Sequence, residues 1–152
     1  MNVTEVRIKL VTDPRDKLRG FASITLDDLL VVRDIKIIEG TTGAFVAMPS
    51  RKLCAHCPAC GSKNHLRARY CNDCGVRQPE RSTARDERGR LRLYADIAHP
   101  IHQEAREFLE RVVLEEFRAE LDRSRQEGWV AQRFDDLDYD AWSGPDAEIA
   151  AG

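Results

Sequence analysis

No run of about eighteen apolar residues occurs in the chain, so no segment reads as a helix that crosses a bilayer. The first residues, MNVTEVRIKLV, lack a basic stretch followed by an apolar one, and no secretory signal is expected. Cysteine is absent outside one short segment, Cys54 to Cys74, which holds all 5 of them. Without a signal, and with the thiols clustered, a disulfide scaffold is disfavoured and a cytoplasmic location is expected. No serine or cysteine shows a partnered base. Asp27 and Asp28 mark a corner and His99 precedes a proline, so no enzyme is expected. Basic residues are missing after Arg133. The net charge of -2 argues against a wholly basic chain, but it averages over segments of opposite sign.

What is present is organised around Cys54 to Gly75, CAHCPACGSKNHLRARYCNDCG. Cys57 and Cys60 form C-P-x-C-G, and Cys71 and Cys74 form Y-C-x-x-C-G. A tight C-x-x-C turn puts two sulfurs on one side of a loop, and two such turns can converge on one ion, which is the layout of a zinc ribbon. Gly61 and Gly75 stand where the backbone often needs a positive φ. Cys57, Cys60, Cys71 and Cys74 are therefore the expected thiolate ligands of one structural Zn2+, a closed set with no position left for water. Cys54 makes an overlapping C-x-x-C with Cys57, and a shifted set using it would lose the repeat. His56 and His65 are candidates for the surface rather than for the metal.

Elsewhere the pattern is α+β. Val3 to Val11 alternates, with Val6, Ile8 and Leu10 on one face and Glu5, Arg7 and Lys9 on the other, as in a half-solvated strand. A turn around Pro14 leads to a second strand over about Leu18–Leu26. Leu29 to Ile38 is the most apolar and β-branched run, expected as a central strand buried over much of both faces. A glycine-bracketed turn, Gly40 to Gly43, precedes the strand Ala44 to Pro49. After the cysteine segment, apolar alternation resumes from Leu91 to Ile97. His99-Pro100 is expected to open a helix running to about Gln126. Its apolar stripe is Ile101, Ala105, Phe108, Leu109, Val112, Val113, Phe117 and Leu121, and its polar face pairs Arg111 with Glu107 and Glu115.

Charge is segregated. Between Arg51 and Arg92 there are eleven basic residues and four acids, a net of +7, or about +5 once a divalent ion and four thiolates are counted. Arg51 and Lys52 precede the cysteines, while Lys63, Arg67 and Arg69 lie between the pairs. From Phe134 the chain is acidic and carries Tyr139 and Trp142, with Trp129 just before it. It is expected to be a disordered tail, whose aromatics could dock on the protein itself or on a protein partner.

With the cysteine segment set aside, the flanks resemble the stage V sporulation protein G (SpoVG, septation protein) family. Val3-Thr-Glu-Val-Arg7, Phe21-Ala-Ser-Ile-Thr-Leu26, Val31-Val-Arg-Asp-Ile35, Gly43-Ala-Phe-Val-Ala-Met-Pro-Ser50 and Asp96-Ile-Ala-His-Pro-Ile101 carry the resemblance, in the family's order. It implies an antiparallel β-sheet with one C-terminal helix packed on it, a homodimer, and a regulator that binds DNA or RNA. The family's basic helix start is matched here at Arg106, but Glu104, Glu107 and Phe108 depart from it, and two added carboxylates repel phosphate.

The expected organisation is a core of residues 1–52 and 91–127, a zinc ribbon inserted at 53–76, a basic linker at 77–90 and an acidic tail at 128–152. The expected function is nucleic-acid binding through Arg51, Lys52, Lys63, Arg67, Arg69 and Arg106. The alternative is a non-enzymatic adaptor that recruits protein partners through the ribbon and the tail. No membrane association is expected.

Overall fold

The computed structural model describes residues 1–80, 85, 89–90 and 92–132. They belong to two compact units, one of Met1–Met48 with the residues from Pro100 on, the other of Pro49–His99.

In the first unit, β1 (Val3–Leu10), β2 (Leu18–Leu26), β3 (Leu30–Gly40) and β4 (Gly43–Ala47) form an antiparallel meander in that order. The connections are set by local chemistry. Asp13 and Asp16 accept backbone N–H groups from Arg15 and Leu18 and so fix the turn around Pro14. Asp27 and Asp28 both take positive φ, 50° and 55°, as a tight primed hairpin turn demands. Thr41 and Thr42 link β3 to β4 between the paired Gly40 and Gly43.

The apolar run Leu29–Ile38 is buried on one face, not on both. Ile35 and Ile37 are buried, whereas Leu29, Leu30 and Val31 are exposed. A bulge explains how the buried face is kept. Between the pairs Ala22–Ile35 and Ile24–Val32, β2 advances by two residues and β3 by three, and Asp34 sits in the bulge with φ 60°. Because side chains alternate with period two, the extra residue brings Val32 to the same face as Ile35. Both then pack into the core.

The helix α1 (Gln103–Ser124) starts three residues after Pro100, not at it. His102 is the N-cap, its Nδ1 accepting from the Ala105 N–H at 3.1 Å. Ile101, expected to head the stripe, is 87% exposed. Leu109, Val113, Leu114 and Phe117 pack on Ile8, Ala22, Ile24, Ile35 and Ile37, with Phe108 and Leu121 at the margin. Each large side chain so buried contributes roughly 1.5–3 kcal/mol, which makes this helix-on-sheet contact the main source of stability in the unit. Arg111, expected to pair with carboxylates, has its guanidinium 5.6 Å from the centroid of the Phe108 ring.

Glu120 lies on the buried side of α1 with 2% of its surface exposed. A buried carboxylate needs donors. It receives Arg123 Nε at 2.8 Å and the Trp129 indole N–H at 2.9 Å. Gly128, at φ 82°, turns the chain back, and Gln132 Oε1 accepts the Ile8 N–H at 3.3 Å. The segment expected to open a disordered tail is thus docked through Gln132. Phe134, Tyr139 and Trp142 lie outside the described residues.

The second unit holds two small ladders. β5 (Ser50–Lys52) pairs with β8 (Tyr94–Asp96), and β6 (Cys54–His56) pairs with β7 (Lys63–His65), both antiparallel. Bonds from Leu53 N–H to Leu93 O and from Ile97 N–H to Pro49 O extend the first ladder at its two ends. The chain therefore leaves at Leu53 and returns at Leu93 at adjacent points. Of the expected linker, residues 81–84 and 86–88 lie outside the described set. Among the described residues no helix is long and apolar enough to cross a membrane.

Candidate metal centre and basic surface

Each cysteine pair sits on the same backbone frame. The N–H of the first cysteine reaches the carbonyl five residues on: Cys57 to Ser62 and Cys71 to Val76, both at 2.8 Å. The glycine four residues on returns a bond to that cysteine's carbonyl, Gly61 at 2.9 Å and Gly75 at 3.1 Å. Both glycines adopt left-handed φ, 79° and 77°, which lets the loop close without a strained Cβ. The residue before each pair is cross-bridged in the same way, His56 with Lys63 and Tyr70 with Arg77. Two copies of one loop thus face each other.

Their sulfurs converge. The Sγ atoms of Cys57, Cys60, Cys71 and Cys74 all lie within 4.8 Å of one another, so these four residues can hold a metal ion. Across the loops, Cys57 is 3.7 Å from Cys74 and Cys60 is 3.6 Å from Cys71. Cys54 is not in the group; it is exposed, with its Sγ 3.5 Å from the Lys52 carbonyl. His56 Nδ1 lies 2.9 Å from the Gly61 carbonyl, and His65 Nδ1 accepts the Arg67 N–H at 3.1 Å, so both rings are engaged with backbone.

Two side chains that the spacing of cysteines did not reveal complete the centre. Asn64 and Gln78 are buried, and each stands seven residues after the first cysteine of its pair. Each reaches across to the opposite loop. Asn64 Nδ2 donates to Cys71 Sγ and Gln78 Nε2 to Cys57 Sγ, both at 3.4 Å. Each also donates to a carbonyl two residues back, Ser62 and Val76. The repeat breaks at one atom. Asn64 Oδ1 accepts the Asn72 N–H at 2.8 Å, but Pro58 occupies the matching position and has no N–H. Gln78 Oε1 is accordingly buried with no partner among the described residues.

These donors set the charge of the sulfurs. The Cys57 thiol is held below its ordinary value by the Cys60 N–H first, then by the Gln78 amide. Cys71 is brought down to about 6 by the N–H of Cys74, the Asn64 amide and the N–H of Asp73. Cys74 goes the other way. The Val76 N–H pulls it down, yet desolvation and the sulfurs of Cys60, Cys71 and Cys57 together push it up to about 12. Four adjacent sulfurs cannot all carry charge unaided, so one keeps its proton until a cation takes its place.

The basic residues singled out in the sequence fall in both units. Arg51 and Lys52 are exposed on β5, Lys63 is exposed on β7, and Arg67 and Arg69 are exposed on the stretch between the two cysteine pairs. None of these five forms an ion pair with a described residue. Arg106 is exposed near the start of α1, beside Glu107, whose carboxylate accepts from Gln103 at 2.9 Å.

The fold and the cluster define a sheet-and-helix α+β protein that carries a four-cysteine centre in the connection between two short strands. Comparison with known proteins places it more closely: the chain belongs to the SpoVG family, whose sequence profile matches residues 1–119. The septation protein SpoVG of Caldicellulosiruptor bescii is 34% identical over 119 residues, which cover 78% of this chain and 93% of the relative. That of Myxococcus xanthus is 33% identical over 138 residues, 91% of this chain and 100% of the relative. That of Bdellovibrio bacteriovorus is 36% identical over 121 residues, 80% and 77% respectively.

Proposed function

We propose that the protein is a non-enzymatic, nucleic-acid-binding regulator of the cytoplasm, built on a homodimeric SpoVG core, in which a structural zinc ion orders a ribbon with a basic surface. The sulfur geometry carries the metal assignment. A Zn–S bond of about 2.3 Å places tetrahedral sulfurs about 3.8 Å apart. The two measured cross-loop separations are 3.7 Å and 3.6 Å. Four protein sulfurs leave no open coordination position, so the ion orders the loops and activates no water. Elemental analysis of the purified protein should give one zinc per chain.

The nucleic-acid reading is supported by Lys63, Arg67 and Arg69, which are exposed on the ribbon and form no ion pair with a described residue, and by membership of the SpoVG family. Arg51, Lys52 and Arg106 add charge to it. Affinity for duplex DNA should fall with salt at a log–log slope near −0.9 per phosphate contacted, so Arg67→Gln with Arg69→Gln should flatten that slope by about 1.8. A mobility-shift series with duplex DNA and with RNA, repeated across salt concentrations, measures this. No shift at low salt would remove the nucleic-acid role and leave the ribbon as a surface for protein partners.

A further inference from the structure

The sheet of the first unit has a second face that the helix does not touch. On the helix side stand Ile8, Ala22, Ile24, Ile35 and Ile37. Alternation sends their neighbours the other way, and the register lines them up. Lys9, Phe21, Lys36 and Ala47 form one row across all four strands, and Ile38 pairs with Phe45 in the next. Phe21 and Phe45 take no part in the core cluster, and Phe45 is 42% exposed. Lys9 and Lys36 are exposed and form no ion pair with a described residue. Among the described residues of this unit, no helix or strand packs on that face.

We infer that this open face binds single-stranded nucleic acid, with Phe21 and Phe45 stacking on unpaired bases and Lys9 and Lys36 meeting phosphates. The inference rests on the nucleic-acid reading above but assigns a surface distinct from the ribbon. Rings on an open sheet face suit bases that are splayed out, because every base offers a π-face and a duplex hides it. Charge selects this occupant over a second copy of the chain. The carboxylate on this face, Glu5, is held by Arg7 at 2.9 Å, so two such faces brought together would set lysine rows against each other, whereas a phosphate backbone is complementary to them. Strand spacing of about 4.8 Å puts Phe21 and Phe45, two strands apart and offset by two residues, at about 12 Å, a span that a short extended strand bridges.

The test uses the full, zinc-loaded chain and fluorescence anisotropy with a labelled twelve-nucleotide oligothymidylate, beside a duplex of equal length. Phe45→Leu keeps an apolar side chain on the strand but removes the ring face. It should weaken the single strand by about five-fold or more, and Phe21→Leu likewise, with duplex binding unchanged. Lys9→Gln with Lys36→Gln, on exposed positions that do not threaten folding, should flatten the single-strand salt slope by about 1.4. Unchanged affinity and slope in all these variants, while Arg67→Gln with Arg69→Gln still weakens binding, would overturn the sheet assignment and leave the ribbon reading standing. No oligothymidylate binding by the parent protein at low salt would overturn the assignment outright. Loss of self-association in Phe45→Leu, seen by sedimentation with oligonucleotide binding intact, would make the face a contact between copies and refute it too.

Discussion

Replacing Pro58 by alanine should tighten metal binding, although the proline looks like a well-chosen rigid residue in a C-P-x-C-G loop. The reason lies in the internal repeat. Asn64 finds the Asn72 N–H for its carbonyl oxygen at 2.8 Å, while Gln78, the matching residue, faces a loop whose matching donor is missing. A buried acceptor left unpaired costs about 1–3 kcal/mol. The proline offsets part of this by restricting the unfolded chain, a contribution of about 0.4–1 kcal/mol that alanine would lose. The balance favours alanine by roughly 1 kcal/mol, or about five-fold in an equilibrium constant. On the zinc assignment proposed above, folding of a ribbon this small is coupled to metal binding, so the gain should appear as metal affinity.

Competition for zinc against a chromogenic chelator measures it directly. Affinity that falls two- to five-fold, as the proline contribution alone implies (~0.4–1 kcal/mol), would refute the reasoning. A double-mutant cycle sharpens the test: in a Gln78→Leu background, Pro58→Ala should lose its benefit and show only the proline loss. A benefit that survives there would mean that the Gln78 oxygen is not the group being satisfied.

Three further outcomes follow from the geometry. Cys71→Ser with Cys74→Ser should abolish stoichiometric zinc while the sheet-and-helix unit still unfolds cooperatively in urea; loss of that transition would make the ribbon part of the core. Gly20→Ala would bring a Cβ to 2.8 Å from the Lys9 carbonyl oxygen. Both groups belong to paired backbone, so the unfolding free energy should drop by about 1–3 kcal/mol, and an unchanged urea midpoint would show that the strands shift freely. Trp129→Phe keeps the aromatic ring but removes the indole N–H from Glu120. Leaving that buried oxygen unpaired should destabilise the unit by about 1–3 kcal/mol, read by the same urea titration.

The elements most legible in the sequence are those whose information is local. Strict alternation in Val3–Leu10 tells which face is buried, and the Asp27-Asp28 and Gly40–Gly43 turns mark the hairpins. The convergence of Cys57, Cys60, Cys71 and Cys74 could be read because a C-x-x-C turn and the glycine after it are one compact motif. What was not legible depends on contacts distant in sequence. The Leu29–Ile38 run reads as doubly buried because β-branched residues continue through it. Only the pairing with β2 shows the bulge at Asp34 and the exposure of Leu29 to Val31. Pro100 carries a helix-start signal, yet His102 makes the capping bond to Ala105, and a histidine cap is a weak signal without coordinates. The burial of Glu120 is not visible in helical spacing because it depends on Trp129, nine residues on and beyond a glycine turn. Asn64 and Gln78 could have been noticed from their equal offset after each cysteine pair, but nothing in the sequence says that an amide reaches across to the other loop's sulfur.

The position of the ribbon explains how a family fold can carry it. Lys52 is paired with Tyr94, and Leu53 donates to Leu93, so residues 53–93 begin and end on adjacent strands. The ends of the insertion are therefore already closed by the ladder, whatever lies between them. Lengthening a connection tenfold adds only (3/2)RT ln 10, about 2 kcal/mol of closure entropy. A structural zinc contributes on the order of 10–16 kcal/mol to ordering a small finger. On the zinc assignment proposed above, the ordering of the ribbon is met by the ion, with the burial between α1 and the sheet left to stabilise the first unit. If the two surfaces proposed above act independently, changes to Arg67 or Arg69 on the ribbon and changes to Lys9 or Lys36 on the sheet should combine additively in the free energy of binding, and a departure from additivity would show that they share one ligand.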